Sequence, residues 1–294
     1  MSPQPPDRPG RPGGRDGGGG SGKRGRSAGK GSGTGGRSGG YHYDPALARP
    51  AIEGHADASG GDVLYGRNPV HEALRAGRRR VRQVWATEQA LREPWLAGGS
   101  GRPAAQQAGS EEVERRCGSP GHQGVCALVD PYPYADERGL LAIETPFLVV
   151  LDEVQDVQNL GAICRTAECA GATGVVIPER RSAEVTPAAC KASAGAVEHL
   201  DVARVRNVAD FLVAAKARGV WCYGAAMSGA VAWTTPDYRG GVALVLGAEG
   251  KGLRPRVAGA CDQLVALPLR GRIDSLNVSA AAAALMYEIV RTRG

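Results

Sequence analysis

The chain has 294 residues, 42% hydrophobic and 22% charged, values of a globular protein with length enough for two ordinary domains. Its formal charge of +6 is local: residues 1–40 carry eight Lys/Arg against Asp7 and Asp16, and the remainder balances at 28 basic and 28 acidic residues. No run of eighteen apolar residues occurs and no apolar core follows the basic N-terminus, so neither a membrane span nor a secretory leader is expected. Residues 1–40 also hold sixteen glycines and no large apolar residue beyond Met1. Such a segment buries too little to offset its ordering entropy, and residues 1–60 are expected to be a disordered basic tail and linker. A cationic tail suits a polyanion through counterion release, although without aromatics it offers no stacking platform. A solubilising extension fits equally well.

From Gly61 an ordered pattern begins. Val63-Leu64-Tyr65-Gly66 reads as a strand or turn entering a helix over Asn68–Leu74, and Val81–Ala86 alternates as a strand. Residues 97–121 are rich in Gly, Gln and Ser around a charged helical fragment, Glu111–Arg116. His122–Val129 gives another strand. These elements imply a small α/β domain over 62–135, and Pro131-Tyr132-Pro133-Tyr134 with the polar residues to Glu144 reads as a linker.

Over 145–294 strand and helix alternate. Apolar strands are expected at Phe147–Leu151, Gly174–Ile177, Val220–Ala225, Val242–Leu246 and Leu264–Leu267. Helices are expected at Asn159–Gly171, Pro187–Ala196, Val208–Arg218 and Ser275–Arg291. Continuous apolar strands between helices predict a parallel sheet covered on both faces, in the α/β class. Seven cysteines show no CxxC pair and no metal-ligand spacing, and most are expected to be buried free thiols of a reducing, cytoplasmic protein that holds no metal.

Three segments carry chemistry. In Asp152–Ala167 a strand ends in a polar loop, and Asn159 stands where a helix N-cap is wanted. Six residues separate Asn159 from Arg165, about 120° around a helix of 3.6 residues per turn, so the two converge on one ligand only if Asn159 lies beyond the regular turns. The loop Gly247-Ala248-Glu249-Gly250-Lys251-Gly252-Leu253 is neither a Walker A loop nor a dinucleotide fingerprint. Its glycines permit close backbone approach to a flat ligand, or simply a tight turn. Ser275-Leu276-Asn277-Val278-Ser279 opens the last helix, where Ser275 is a good N-cap and Asn277 is a weak helix former.

Together these segments resemble the SpoU/TrmH family of the SPOUT superfamily, RNA ribose 2′-O-methyltransferases that use S-adenosylmethionine. The family pattern stands here as Asn159, Gly161-Ala162, Arg165-Thr166-Ala167, Gly247–Gly252 and Leu267–Ser279, with Lys191–Ala196 and His199 as an intervening segment. Tyr65–Val70 and His122–Val125 resemble the ribosomal-protein-like (L30e-like) RNA-binding domain of 23S rRNA guanosine 2′-O-methyltransferases. The resemblance implies a parallel sheet with a C-terminal deep trefoil knot and a homodimer. It implies Gly247, Leu267 and Leu276 against the cofactor, Glu249, Ser275 and Asn277 orienting substrate or cofactor, and Asn159 and Arg165 facing the ribose. The RNA implied is 23S rRNA, with tRNA as the rival target. A non-catalytic RNA-binding assembly factor is a further rival, disfavoured by the complete set Asn159, Arg165, Glu249, Ser275 and Asn277. For RNA phosphates the basic cluster Arg75, Arg78, Arg79, Arg80 and Arg82 is the expected surface, and Arg270 and Arg272 are optional additions.

Overall fold

The computed structural model describes residues 60–99, 101–227 and 230–294. The tail expected over 1–60 lies outside the described residues, apart from Gly60 at its end. A first sheet is built from β1 (Asp62–Tyr65), β2 (Val81–Ala86), β3 (Ala105–Gln107) and β4 (Val125–Val129) in the order β1-β4-β2-β3. Strand β4 pairs antiparallel with β1 and β2, and β3 is parallel to β2. Helix α1 (Arg67–Ala76) follows β1 and ends on a left-handed Gly77, while α2 (Ser110–Cys117) ends on a left-handed Gly118. The strand expected from His122 begins only at Val125, because His122–Gly124 form a turn with Gln123 and Gly124 at positive φ.

Residues 131–144 are ordered. A short helix α3 (Glu137–Leu141) is capped by Asp136, and Leu140 and Leu141 are buried. Tyr132 is buried with its hydroxyl donating to the carbonyls of Val197 and Leu200, at 3.1 and 2.6 Å. A hydrogen-bonded aromatic of this kind ties two bodies together, which a polar linker does not.

The second sheet has seven parallel strands. They are β5 (Phe147–Asp152), β6 (Gly174–Pro178), β7 (Val202–Val205), β8 (Trp221–Ala225), β9 (Val231–Ala232), β10 (Val242–Gly247) and β11 (Gln263–Ala266), ordered β7-β6-β5-β10-β8-β11-β9. The strand period sorts its two faces. Phe147, Val149, Leu151, Leu244 and Leu246 pack with residues of α4 (Val157–Cys169), α5 (Pro187–Ala192) and α8 (Val278–Arg293). Leu148, Val150, Ala243 and Val245 pack with α6 (Val208–Ala217) and α7 (Pro255–Ala260). Both faces are covered, as parallel strands with continuous apolar runs require. No helix among the described residues is long and apolar enough to cross a membrane.

The arginine cluster is not a free RNA surface. Arg79 is buried and donates to both oxygens of Glu198, at 2.5 and 3.3 Å, and to Asp62 at 3.2 Å. Arg78 donates to Asp201 at 2.7 Å and to the Glu198 carbonyl at 3.0 Å, Arg82 to Asp130 at 2.5 Å, and Arg75 lies 3.4 Å from Glu72. Two of these partners, Glu198 and Asp201, belong to 198–201, at the 3-10 turn over Ala196–His199 and just after it. The charges therefore dock the first sheet onto the segment after α5, and only Arg80 stands exposed without an ion pair among the described residues.

Candidate active site

The site lies at the carboxyl ends of β10, β8 and β11, the edge where open parallel sheets hold their ligands. Gly247 ends β10 in register with Asp152 at the end of β5. From there the chain folds back on itself, with Gly252 N–H donating to the Ala248 carbonyl at 2.9 Å. Two glycines, Gly250 at φ 73° and Gly252 at φ 66°, supply the left-handed backbone of this return. A Cβ on Gly247 would collide with the backbone of Gly252 and Leu253, so only glycine fits there. The far end of the loop is fixed by Asp152. That buried carboxylate accepts Arg254 N–H at 2.9 Å and Nε at 2.8 Å, and the pairing raises the Arg254 guanidinium above its ordinary pKa. Asp152 and Arg254 were not among the expected site residues. A carboxylate closing an otherwise apolar strand was the available signal.

Glu249 at the loop tip gathers the polar groups. Its Oε1 accepts Asn277 Nδ2 at 2.6 Å, Asn159 Nδ2 at 3.1 Å and Val278 N–H at 3.4 Å. Asn277 Nδ2 also donates to Asn159 Oδ1 at 3.0 Å. The first turn of α4, the glycine loop and the start of α8 are thus locked by one carboxylate and two amides. Asn159 is buried in this cluster, and Oε2 of Glu249 keeps its acceptor capacity, with no donor among the described residues.

Two capping expectations are corrected. Asp156, not Asn159, caps α4, accepting Gln158 N–H at 2.8 Å, so Asn159 is a first-turn residue inside the helix. Asn277, not Ser275, caps α8, its Oδ1 accepting the N–H groups of Ser279 and Ala280 at 2.9 and 3.4 Å. Asn277 caps with its oxygen while its Nδ2 donates to both Asn159 and Glu249, two donations where a serine hydroxyl has one hydrogen to give. Ser275 stays in the exposed loop before the cap.

Above the loop opens a cavity of about 550 Å³, within the range of small-ligand sites. Gly247, Glu249, Leu267, Ser275 and Leu276 all line it, together with Leu246 and Leu253 at the two ends of the loop, and with Val265 and Leu285, which the sequence did not single out. Apolar side chains beside the exposed backbone of 247–252 suit a flat, amphipathic ligand such as an adenosine. Asn159 and Arg165 are not in the wall. As their six-residue separation requires, Asn159 turns to Glu249 while Arg165 is exposed, with no ion pair or hydrogen bond to the described residues. No group of His, Cys, Asp and Glu among the described residues is arranged to hold a metal.

Known proteins share this architecture. Residues 146–287 match the model of the SpoU rRNA Methylase family, and residues 63–135 match that of the RNA 2′-O ribose methyltransferase substrate binding domain. A Bacillus subtilis protein named for the TrmH family of tRNA/rRNA methyltransferases, YacO, is 40% identical over 242 residues, covering 79% of this chain and 96% of its own. The SpoU methyltransferase AviRb of Streptomyces viridochromogenes, solved in complex with AdoMet, superposes with a TM-score of 0.67 at 26% identity, over 80% of this chain and 91% of AviRb. An AdoMet-bound rRNA methyltransferase of Sinorhizobium meliloti superposes with a TM-score of 0.68 at 26% identity, over 81% and 89%. On its parallel sheet, its glycine loop and these matches, the chain belongs to the SpoU/TrmH family of RNA methyltransferases.

Proposed function

We propose that the protein transfers a methyl group from S-adenosylmethionine to a ribose 2′-hydroxyl of RNA, with a guanosine of 23S rRNA as the target. The observation that carries the reading is the Glu249–Asn159–Asn277 cluster at the edge of an apolar cavity, on the ligand-binding edge of a parallel sheet. The AdoMet named in two structural neighbours supports the cofactor, and the match of 63–135 to a substrate-binding domain supports RNA. When bound, S-adenosylmethionine supplies an electrophilic methyl group. The residues fit it: Gly247 lets residues 248–252 fold back against β10 at the cavity wall, and Leu267 and Leu276 offer apolar walls. Ser275 and Glu249 present a hydroxyl and a free carboxylate oxygen to ligand polar groups, and Asn159 and Asn277 hold that carboxylate in place.

Arg165 receives the RNA from the solvent side of α4. A guanidinium stays protonated at neutral pH and is a poor base. Its role is to orient phosphate and ribose and to stabilise alkoxide charge as the hydroxyl proton leaves. The same reading takes 62–135 as the L30e-like RNA-binding domain, 145–294 as the methyltransferase domain with the family's trefoil knot, and the cytoplasm as the location. A homodimer is part of it. Met227, Leu269 and Leu276 are exposed apolar residues lining the cavity, and Ile273 is exposed in the loop before Ser275, a surface suited to a second copy.

Purified protein should bind S-adenosylmethionine in calorimetry and label 23S rRNA transcripts from tritiated cofactor, with no label on RNA carrying 2′-deoxyguanosine at the target. Arg165→Ala should abolish transfer and leave cofactor affinity unchanged; loss of cofactor affinity would sink the role given to Arg165. Transfer to tRNA alone would move the target to tRNA, in line with relatives named tRNA/rRNA methyltransferases. Binding of RNA without any transfer would favour an assembly factor.

A further inference from the structure

Arg67 and the turn His122-Gln123-Gly124 take no part in the methyl-transfer site, yet they meet at a second cavity of about 840 Å³ in the first-sheet domain. Its other walls are Thr87–Gln89 after β2 and Gln107–Ser110 between β3 and α2. The turn is built under constraint. Gln123 at φ 53° and Gly124 at φ 80° are consecutive left-handed residues, and a Cβ on Gly124 would lie 2.6 Å from Thr87 Oγ1. Left-handed non-glycine residues persist where the surroundings over-determine them, and such positions cluster at functional sites.

The geometry around His122 orients one hydrogen-bond donor. The residue is 6% exposed, and its Nδ1 accepts Gly124 N–H at 2.9 Å. Nδ1 therefore bears the lone pair and Nε2 the proton. Nε2 has no partner among the described residues, nor is it sealed in protein, since the buried unpaired side-chain atoms described are Glu153 Oε1 and Arg204 Nε alone. The ring lines the cavity. Charge in the wall is largely neutralised: Arg67 donates to Glu93 at 2.7 Å and Glu112 accepts from Arg116 at 2.6 Å. The exposed carboxylate of Glu88 lies 4.0 Å from Arg92, and what remains are hydroxyls and amides. Such a lining suits a base edge better than a phosphate. The floor is also tied to the methyltransferase body, because Gln123 Oε1 accepts both Arg67 N–H at 3.1 Å and Lys191 Nζ, on α5, at 2.9 Å.

We propose that this cavity reads one unpaired nucleobase of the RNA, with His122 Nε2–H donating to a ring nitrogen or carbonyl of the base and the amide side chains meeting the rest of its edge. Splayed-out bases recognised on their edges are the usual means by which RNA sequence is read. The inference rests on the proposed RNA methyltransferase activity for its ligand, and its test separates the two. Fragments of 23S rRNA and whole tRNAs, transcribed with 6-thioguanosine or 4-thiouridine, are irradiated with the full chain and S-adenosylmethionine, and cross-linked peptides are mapped. Adducts are expected in 87–89, 107–112 or 122–124. His122→Asn keeps an acceptor near Nδ1 but deletes the Nε2 donor, and should raise the transcript Kd about tenfold. His122→Gln, with an amide N–H near the lost nitrogen, should restore part of the affinity. Gln107→Ala, at the exposed rim, serves if His122→Asn fails to fold. S-adenosylmethionine affinity should be unchanged throughout. Wild-type transcript affinity in both His122→Asn and Gln107→Ala, or adducts confined to other surfaces, overturns the cavity and leaves the enzyme standing. Adducts in the cavity without ribose methylation of any transcript overturn the enzyme and leave the cavity standing.

Discussion

Gly247 decides whether the site exists. Any Cβ there overlaps the Gly252 backbone, so Gly247→Ala must push the loop away from β10. Overpacking of this kind costs about 1–3 kcal/mol, and the larger expected loss is functional. Calorimetry with S-adenosylmethionine should find binding weakened about tenfold or more, with the melting temperature only moderately lowered. Glu249 matters through what it leaves behind. Glu249→Ala strands the Nδ2 group of the buried Asn159, a penalty of about 1–3 kcal/mol for an unmade hydrogen bond. Denaturant unfolding should show that loss, and an unchanged midpoint would mean that water replaces the carboxylate. Glycine spacing and the isolated carboxylate of this loop were legible in the chain itself. Its closure was not, because Asp152 and Arg254 stand 102 positions apart and only the parallel pairing of β5 with β10 brings them together.

At the scale of elements, two close approaches hold the site. Helix α4 meets α5 at Gly161, where a Cβ would collide with Ala192 and lie 2.8 Å from Ser193 N. Gly161→Ala should separate the helices, move Asn159 off Glu249 and lower activity more than Ala162→Gly does, as a methylation assay beside a thermal melt would show. The docking of the first sheet rests on Arg79 and Glu198, whose side chains are 1% and 0% exposed. Arg79→Met alone leaves a carboxylate buried without its partner, which costs about 3–5 kcal/mol. Arg79→Met with Glu198→Leu should recover much of it, and a double-mutant cycle by denaturant unfolding measures the recovery. Read along the chain, Arg75–Arg82 is a charge run without visible partners. Glu198 lies 119 residues away, so its neutralisation is a tertiary fact. The short elements β3, β7, β9, α3 and α7 escaped the sequence pattern for a related reason: runs of two to six residues carry too little periodicity to register.

For the whole molecule, burial of neutral acids sets the alkaline limit of stability. Burial pushes the thiols of Cys126, Cys164 and Cys190 from 9.0 up to about 12 and raises Tyr132 and Tyr223 well above the usual phenol value. The folded chain keeps protons that the unfolded chain releases, so this stability is present below pH 9 and is lost as pH rises from there towards 12. Melting temperature should hold steady from pH 7 to 8.5 and fall between pH 9 and 11. A constant melting temperature across that window would contradict the burial of these groups. At pH 8, iodoacetamide should modify the exposed Cys169 before any of the three buried thiols.

By itself the sequence determined the parallel α/β body and the residues of the glycine loop, because apolar periodicity and glycine placement are local properties of the chain. The family pattern around Asn159, Glu249 and Asn277 was likewise local in each of its three parts. Tertiary structure decided how those parts are used: which residue caps each helix, that Asn159 turns inward while Arg165 turns outward, and that the arginine cluster docks a domain. The reason is physical. Propensity and spacing act over a few residues, whereas the partner of a charge or an amide is chosen by the packing of segments about a hundred positions apart.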